Sequence, residues 1–126
     1  MEDLRETSVP IHLHVATRLR LASFGAVLGY MGISMRTYRE ARTMPGFVAG
    51  GIRSKWWRKE FWTYTVWESR EALDAFLAHR AHGEAVAHAR PRLHGPLTTV
   101  SWESPEFPEW KEALARLDAA SSGFTV

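Results

Sequence analysis

The sequence predicts a single α+β domain in which helices pack on a four-stranded antiparallel sheet. Segments that alternate apolar and polar residues, as strands do, are interleaved with segments whose apolar residues recur every three or four positions, as helices do. The 126 residues match the usual size of one domain. Because 45% of them are hydrophobic and 24% are charged, the chain can build a buried core, and a disordered protein is excluded.

The first strand and the first helix follow a polar tail, residues 1–9. Residues 11–19 alternate in the manner of a strand. Ser23 is suited to cap a helix, and apolar residues then recur at helical spacing as far as Arg42. Glycines weaken the first turns of this helix, and the Pro45-Gly46 pair ends it.

The second half of the chain repeats the alternation of strand and helix. Its strongest strand is Phe-Trp-Thr-Tyr-Thr-Val-Trp at residues 61–67, in which every residue is aromatic or β-branched. Ser69 is suited to cap a second helix, which should run to about His88 because Pro91 follows. The other predicted elements are a strand at residues 47–53, a connection at 54–60, a strand at 96–102, and an amphipathic C-terminal helix after Ser104 that frays from Ala119 onward.

The element order β-α-β-β-α-β is that of the ferredoxin-like split βαβ fold, here with an extra C-terminal helix. Two helices cover one face of such a sheet, yet the first and third strands are apolar or aromatic on both sides. We therefore expect a homodimer, a dimeric α+β barrel in which a second copy buries the face carrying His12, His14, Trp62 and Tyr64. The predicted boundaries are a tail at 1–9, the barrel domain at 10–103, and the C-terminal helix and tail at 104–126.

Charge and composition narrow the partners. The formal net charge is +2, and the main basic cluster, residues 53–59, also contains Trp56 and Trp57. Such a cluster can suit nucleic acid, but a hairpin tip gives the same pattern, so we expect no nucleic-acid site. The chain has no cysteine, which excludes thiolate metal sites, and no apolar run long enough for a membrane helix. With an acidic, polar N-terminus in addition, we expect a cytoplasmic protein with no membrane partner.

Several segments resemble the antibiotic biosynthesis monooxygenase superfamily. They are Pro-Gly-Phe at 45–47, Phe-Trp-Thr-Tyr-Thr-Val-Trp-Glu-Ser at 61–69, Ala-Leu-Asp-Ala-Phe at 72–76, and Ala81-His82. The resemblance covers about residues 10–103, and Thr-Val-Trp-Glu-Ser is its most specific part. Residues 100–110 also resemble a DUF3291-like or spheroidene-monooxygenase-like branch. The superfamily includes cofactor-free oxygenases of polyphenols, heme-degrading enzymes, heme dehydratases and members without known activity, so the fold alone does not fix the function.

The resemblance first raises heme degradation, whose pattern has an Asn on strand 1, a Trp at the end of strand 3 and an iron-ligating His on helix 2. In this sequence those positions hold Thr17, Trp67 and Val86. Two of the three depart from the pattern, and Val86 cannot ligate iron. A different heme site that uses His79 or His82 stays open as the alternative, because imidazole suits iron.

The resemblance also implies cofactor-free oxygenation, in which a deprotonated phenolic substrate itself reduces O₂. The protein must then supply a base, a hydrogen-bond donor for the oxyanion and an apolar pocket. We predict His82 as the catalytic base, because imidazole is matched to proton transfer near neutral pH and His82 lies one turn before Val86; a capping or surface histidine is the alternative. The predicted substrate-binding residues are Thr17, Met31, Met35, Tyr38, Thr63, Thr65, Trp67, His79 and Val86.

His12 and His14 share one side of the first strand, but no acidic residue lies in register with them, so we expect no metal site. We therefore expect a monooxygenase-like enzyme that acts on an aromatic or polyene-type small molecule with O₂ and without flavin, nicotinamide or another cofactor. A heme-binding enzyme of the same fold is the second hypothesis. A lyase, isomerase or cyclase that uses His82 as its base is a third, and a non-catalytic ligand-binding protein is a fourth.

Overall fold

The computed structural model describes residues 10–121, which form one sheet with helices on both of its faces. Two single 3-10 turns, at Trp56–Arg58 and Arg90–Arg92, join elements. The strands and helices are β1 (His12–Arg20), α1 (Phe24–Arg42), β2 (Phe47–Lys55), β3 (Glu60–Trp67), α2 (Arg70–Leu77), α3 (Arg80–Ala89), β4 (Thr98–Ser104) and α4 (Trp110–Ser121).

The four strands pair in the order β2-β3-β1-β4, and every neighbouring pair is antiparallel. The predicted fold class is thus confirmed. Because side chains alternate along a strand, the register sorts them into two faces. Val15 and Thr17 on β1 lie opposite Thr65 and Thr63 on β3, and this side, which we call the pocket face, is covered by α1, α2 and α3. The opposite side, which carries His14, we call the α4 face.

The limits of α1 follow from its capping groups, as the sequence predicts. The Ser23 hydroxyl accepts a hydrogen bond from the Ala26 N–H at 3.1 Å, so the helix begins at Phe24 in spite of its glycines. After the helix, Gly46 adopts a φ of +89°, in the left-handed region that glycine enters at no steric cost. A Cβ there would overlap the methyl group of Ala72, so this turn requires glycine for two reasons.

The prediction of one helix from Ser69 to about His88 is wrong, because the segment forms two helices. His79 has extended backbone angles, φ −70° and ψ 143°, and its Nδ1 accepts a hydrogen bond from the Ala81 N–H at 3.1 Å. The imidazole therefore acts as the N-cap of α3, and the chain turns between the two helices. The fraying expected from Ala119 is wrong for residues 119–121, which belong to α4, and residues 122–126 lie outside the described residues.

The α4 face is covered by α4 of the same chain, which corrects the expectation that a second sheet must bury it. Trp62, Tyr64 and Trp102 form a core cluster there with Ala113 and Leu117, both fully buried. An amphipathic helix therefore buries apolar residues of the second face without a partner chain, and the homodimer stays a prediction. An ion pair also links α4 to β1, from Arg18 Nη1 to Asp118 Oδ1 at 3.1 Å.

Candidate functional site

A cavity of about 670 Å³ lies between the pocket face of the sheet and the helices α1, α2 and α3. The sheet forms its floor, and the helices form its walls. Exposed residues line it at the β4 edge, Thr99 and Ser101, and on α2, Arg70 and Leu77. A space of this size can enclose a drug-sized organic molecule.

Hydroxyl groups from three neighbouring strands form the floor. They come from Thr17 on β1, Thr63 and Thr65 on β3, and Thr99 and Ser101 on β4. The Thr17 and Thr99 hydroxyl oxygens lie 3.2 Å apart and form a hydrogen bond. The Thr65 oxygen accepts a hydrogen bond from the indole N–H of Trp67 at 2.9 Å, which leaves the hydroxyl hydrogen of Thr65 available for a ligand.

The walls are mainly apolar, and three of the four hydroxyl groups that α1 brings to the cavity, those of Ser34, Thr37 and Tyr38, already have partners. The Ser34 hydroxyl donates to the Met31 carbonyl at 3.1 Å, and the Tyr38 hydroxyl donates to the Gly50 carbonyl at 2.6 Å. Such partners make polar side chains acceptable in an interior. The ligand-facing polarity therefore comes mainly from the sheet floor, and on α1 from the Tyr30 hydroxyl.

His82 is the histidine that the sequence analysis predicts for the site and that lines the cavity. It lies on α3, lines the cavity, and sets its ring edge against Phe76 with 5.1 Å between ring centroids. Burial lowers the pKa of the imidazole below its ordinary value of 6.5, and a backbone hydrogen bond at Leu77 opposes this effect without reversing it. The neutral form, which can accept a proton, therefore dominates at neutral pH.

Six of the ten predicted site residues line the cavity together: Thr17, Tyr38, Thr63, Thr65, His82 and Val86. The other four, Met31, Met35, Trp67 and His79, do not line it. On α1 the cavity-facing positions are Tyr30, Ser34, Thr37, Tyr38 and Ala41.

The two methionines follow the apolar spacing of α1, but neither of them lines the cavity. Met35 is exposed, and Met31 packs at the edge of the core cluster around Leu19 and Tyr30. Ser34 faces the cavity instead. A serine is acceptable there because its hydroxyl bonds to a carbonyl of its own helix, and the apolar spacing gave no reason to expect a polar residue at that position.

Trp67 and His79 support the cavity from outside. Trp67 is fully buried between the rings of Phe47 and Phe76, and its contribution to the site is the hydrogen bond to Thr65. His79 caps α3, and its Nε2 lies 3.9 Å from Glu40 Oε1.

The sequence analysis missed five polar residues of the cavity: Tyr30, Thr99, Ser101 and the two arginines, Arg70 and Arg90. Burial raises the pKa of Tyr30 to about 12, so its phenol stays protonated. The alternation of Thr99 and Ser101 on the fourth strand was a usable signal, but it needed the register with β1.

His14 lies on the α4 face and serves the core there. Its Nδ1 lies 2.8 Å from the Tyr64 hydroxyl, and its ring stacks on Trp102 with 5.3 Å between centroids. Burial lowers the pKa of this imidazole as well. Within residues 10–121 there is no group of three or more His, Cys, Asp or Glu side chains that could hold a metal ion.

Solved structures share this fold. A crystal structure of an antibiotic biosynthesis monooxygenase aligns with a TM-score of 0.66 and 18% identity, over 76% of this chain and 99% of its own. Rv0793 from Mycobacterium tuberculosis aligns with a TM-score of 0.66 and 15% identity, over 78% of this chain and 97% of its own. A variant of SnoaB, a cofactor-independent oxygenase from Streptomyces nogalater, aligns with a TM-score of 0.62 and 17% identity, over 78% of this chain and 98% of its own.

The fold is that of the antibiotic biosynthesis monooxygenases. The resemblance read from the sequence is confirmed at this level, and at these identities the likeness shows the fold alone. The DUF3291-like or spheroidene-monooxygenase-like branch stays a prediction. No protein-family model matches the sequence, and no curated protein matches it either.

Proposed function

We propose that the cavity binds an aromatic or polyene-type small molecule and that His82 acts as the general base in its cofactor-independent monooxygenation. The observation that carries this proposal is a neutral imidazole in a cavity whose floor is lined with hydroxyl groups. The likeness in fold to SnoaB, a cofactor-independent oxygenase, supports the same reaction class.

The reaction would begin when His82 accepts a proton from an acidic O–H or C–H of the substrate. Hydroxyl donors on the floor, Thr65 among them, would hold the resulting anion. The anion then supplies the electrons that reduce O₂. Where a CH₂ group becomes C=O, one oxygen atom enters the product and the other leaves as water with the two hydrogens, so no external reductant is consumed.

The direct test measures O₂ uptake and product mass with a panel of polycyclic phenols. His82→Ala should lower turnover on the order of 10²-fold or more, and His82→Gln should be nearly as damaging, because an amide forms hydrogen bonds without transferring protons. His94→Ala is the matched control, since His94 is exposed and outside the cavity. Native turnover in His82→Ala with intact fold would refute the assignment.

The same assay separates the competing functions. Product formed from the same panel without O₂ would indicate a lyase, isomerase or cyclase with the same base. Tight binding without any product would indicate a ligand-binding protein.

The heme alternative uses the same residue, because His82 is the imidazole that lines the cavity. Hemin titration of the native protein should give no sharp Soret band under the leading proposal. A Soret band that is present in the native protein and absent in His82→Ala would indicate the heme-binding enzyme instead.

The homodimer and the cytoplasmic location belong to this proposal too. With the α4 face covered, two copies would have to meet through another surface, such as the sheet edges β2 and β4. Light scattering of the native chain decides between one copy and two.

A further inference from the structure

One end of the molecule carries an exposed apolar patch. Phe24 and Leu28 on α1 are 54% and 74% exposed, and Trp56 and Trp57 in the turn between β2 and β3 are each 57% exposed. The two indoles contact each other edge to face, with 5.8 Å between centroids. Between α1 and Trp56 runs a shallow apolar groove of about 330 Å³. Neighbouring exposed apolar side chains of this size indicate an interaction surface.

Basic residues lie at this end of the molecule on both sides of the sheet. The Lys55 ammonium lies 5.9 Å from the centre of the Trp62 ring on the α4 face, whereas Lys59 lies beside α1. Arg20, Lys55, Arg58 and Lys59 lie at the same end of the sheet, where Arg20 pairs with Glu60 in the β1–β3 register and Lys55 with Glu60 in the β2–β3 register. The Lys59 ammonium sits 4.5 Å from the centre of the Phe24 ring. Glu60, the acid at this end, forms an ion pair with Arg58 at 3.2 Å. We call these four basic residues with Phe24, Leu28, Trp56 and Trp57 the basic-aromatic tip.

The first half of α1, next to the tip, has no charged side chain that would be costly to transfer into an apolar environment. Residues 21–35 contain no Asp, Glu, Lys or Arg, although much of this stretch is exposed on α1. Exposed helix surface normally carries charged residues. This side of α1 can therefore enter a medium of low polarity without burying an ion.

From these features we infer that the basic-aromatic tip docks the protein on the surface of an anionic lipid bilayer. Indole rings and long basic side chains combine an apolar body with a polar end, which suits the boundary between headgroups and acyl chains. Phe24 and Leu28 would enter the acyl boundary, while the basic residues meet the negative headgroups.

Charge favours this partner over a second copy of the chain. Two tips that meet across a two-fold axis would bring side chains of like charge together, Lys59 of each copy among them, and Glu60 is already paired with Arg58. Nucleic acid would satisfy the charges but would leave the aliphatic Leu28 side chain without an apolar environment. Surface docking needs no membrane-spanning helix, and no helix within residues 10–121 is both long and apolar enough to span a bilayer. The inference replaces the expectation that no membrane takes part, and it does not depend on the proposed chemistry.

Co-sedimentation with vesicles tests the inference on the full chain. The native protein should bind vesicles of phosphatidylcholine with phosphatidylserine, bind pure phosphatidylcholine far more weakly, and lose binding as salt rises. Lys55→Gln with Lys59→Asn should weaken binding about 30-fold, which corresponds to ~1 kcal/mol for each basic residue. Asparagine suits position 59 because the backbone there has a φ of +60°.

Trp56→Ala with Trp57→Ala should weaken binding about tenfold or more, because the apolar contribution is lost. Phe107→Ala is the matched control: Phe107 is 85% exposed but lies outside the tip, so its loss should change nothing. Equal binding to both vesicle compositions, or no effect of the charge variants, would overturn the inference. So would tip variants that bind vesicles normally but lose a native dimer or a native affinity for oligonucleotides.

Discussion

Leu117→Ala tests whether α4 buries the second face of the sheet in solution. The Leu117 side chain is fully buried in the cluster with Trp62 and Trp102. Removing its three outer carbon groups loses about 2.4 kcal/mol of transfer free energy at ~0.8 kcal/mol each. The cavity left behind raises the total cost to about 3 kcal/mol. If a partner sheet covered this face instead, Leu117 would be exposed and the cost would fall within about 0.5 kcal/mol.

Urea unfolding followed by far-UV circular dichroism measures this difference. Leu114→Ala is the matched control, because Leu114 lies on the same helix but is only partly buried, and it should cost about 1 kcal/mol. A Leu117→Ala cost no larger than that of Leu114→Ala would refute the position of α4. The same conclusion would follow if Leu117→Ala changed the number of copies in light scattering.

Two further predictions concern a turn and the response to pH. Gly46→Ala should destabilise the fold by about 2 kcal/mol or more in thermal unfolding, because it places a β-carbon at positive φ against the first turn of α2; the exposed Gly83→Ala on α3, whose Cβ meets open space, should not destabilise it. For pH, burial lowers the pKa of both His14 and His82 in the folded state, so the unfolded chain binds more protons just below pH 6.5. The contribution of these two histidines to the free energy of unfolding should therefore be complete above pH 6.5 and be lost as the pH falls below it. A free energy of unfolding that stays constant from pH 7 to pH 5 would contradict both burial effects.

Local chemistry in the sequence was enough to predict most elements. Ser23 and Ser69 cap α1 and α2 as expected, because a serine hydroxyl satisfies the free N–H groups of a first turn wherever the helix lies. The alternation on β1 and β3 likewise placed Thr17, Thr63 and Thr65 on one face. These signals depend on nearby residues only, and tertiary structure did not override them.

The errors arose where residue spacing does not show what a side chain bonds to or packs against. His79 looked like a helix residue, but its imidazole bonds to the backbone at Ala81 and starts a new helix. Met35 looked like a cavity residue, but the inward side of α1 belongs to residues such as Ser34, whose hydroxyl is satisfied within the helix. The apolar side of α4 was visible in the sequence, yet periodicity cannot tell which surface a helix will meet.

Coverage of the sheet by α4 also determines how the protein responds to dilution. A face buried between two chains is stabilised by mass action, so its stability falls as the protein concentration falls. Here Ala113 and Leu117 are tethered to the sheet by the chain itself, through the few residues that separate β4 from α4. Their local concentration at the sheet is fixed by that short link. The burial of Trp62 and Trp102 by α4 should thus not depend on the protein concentration.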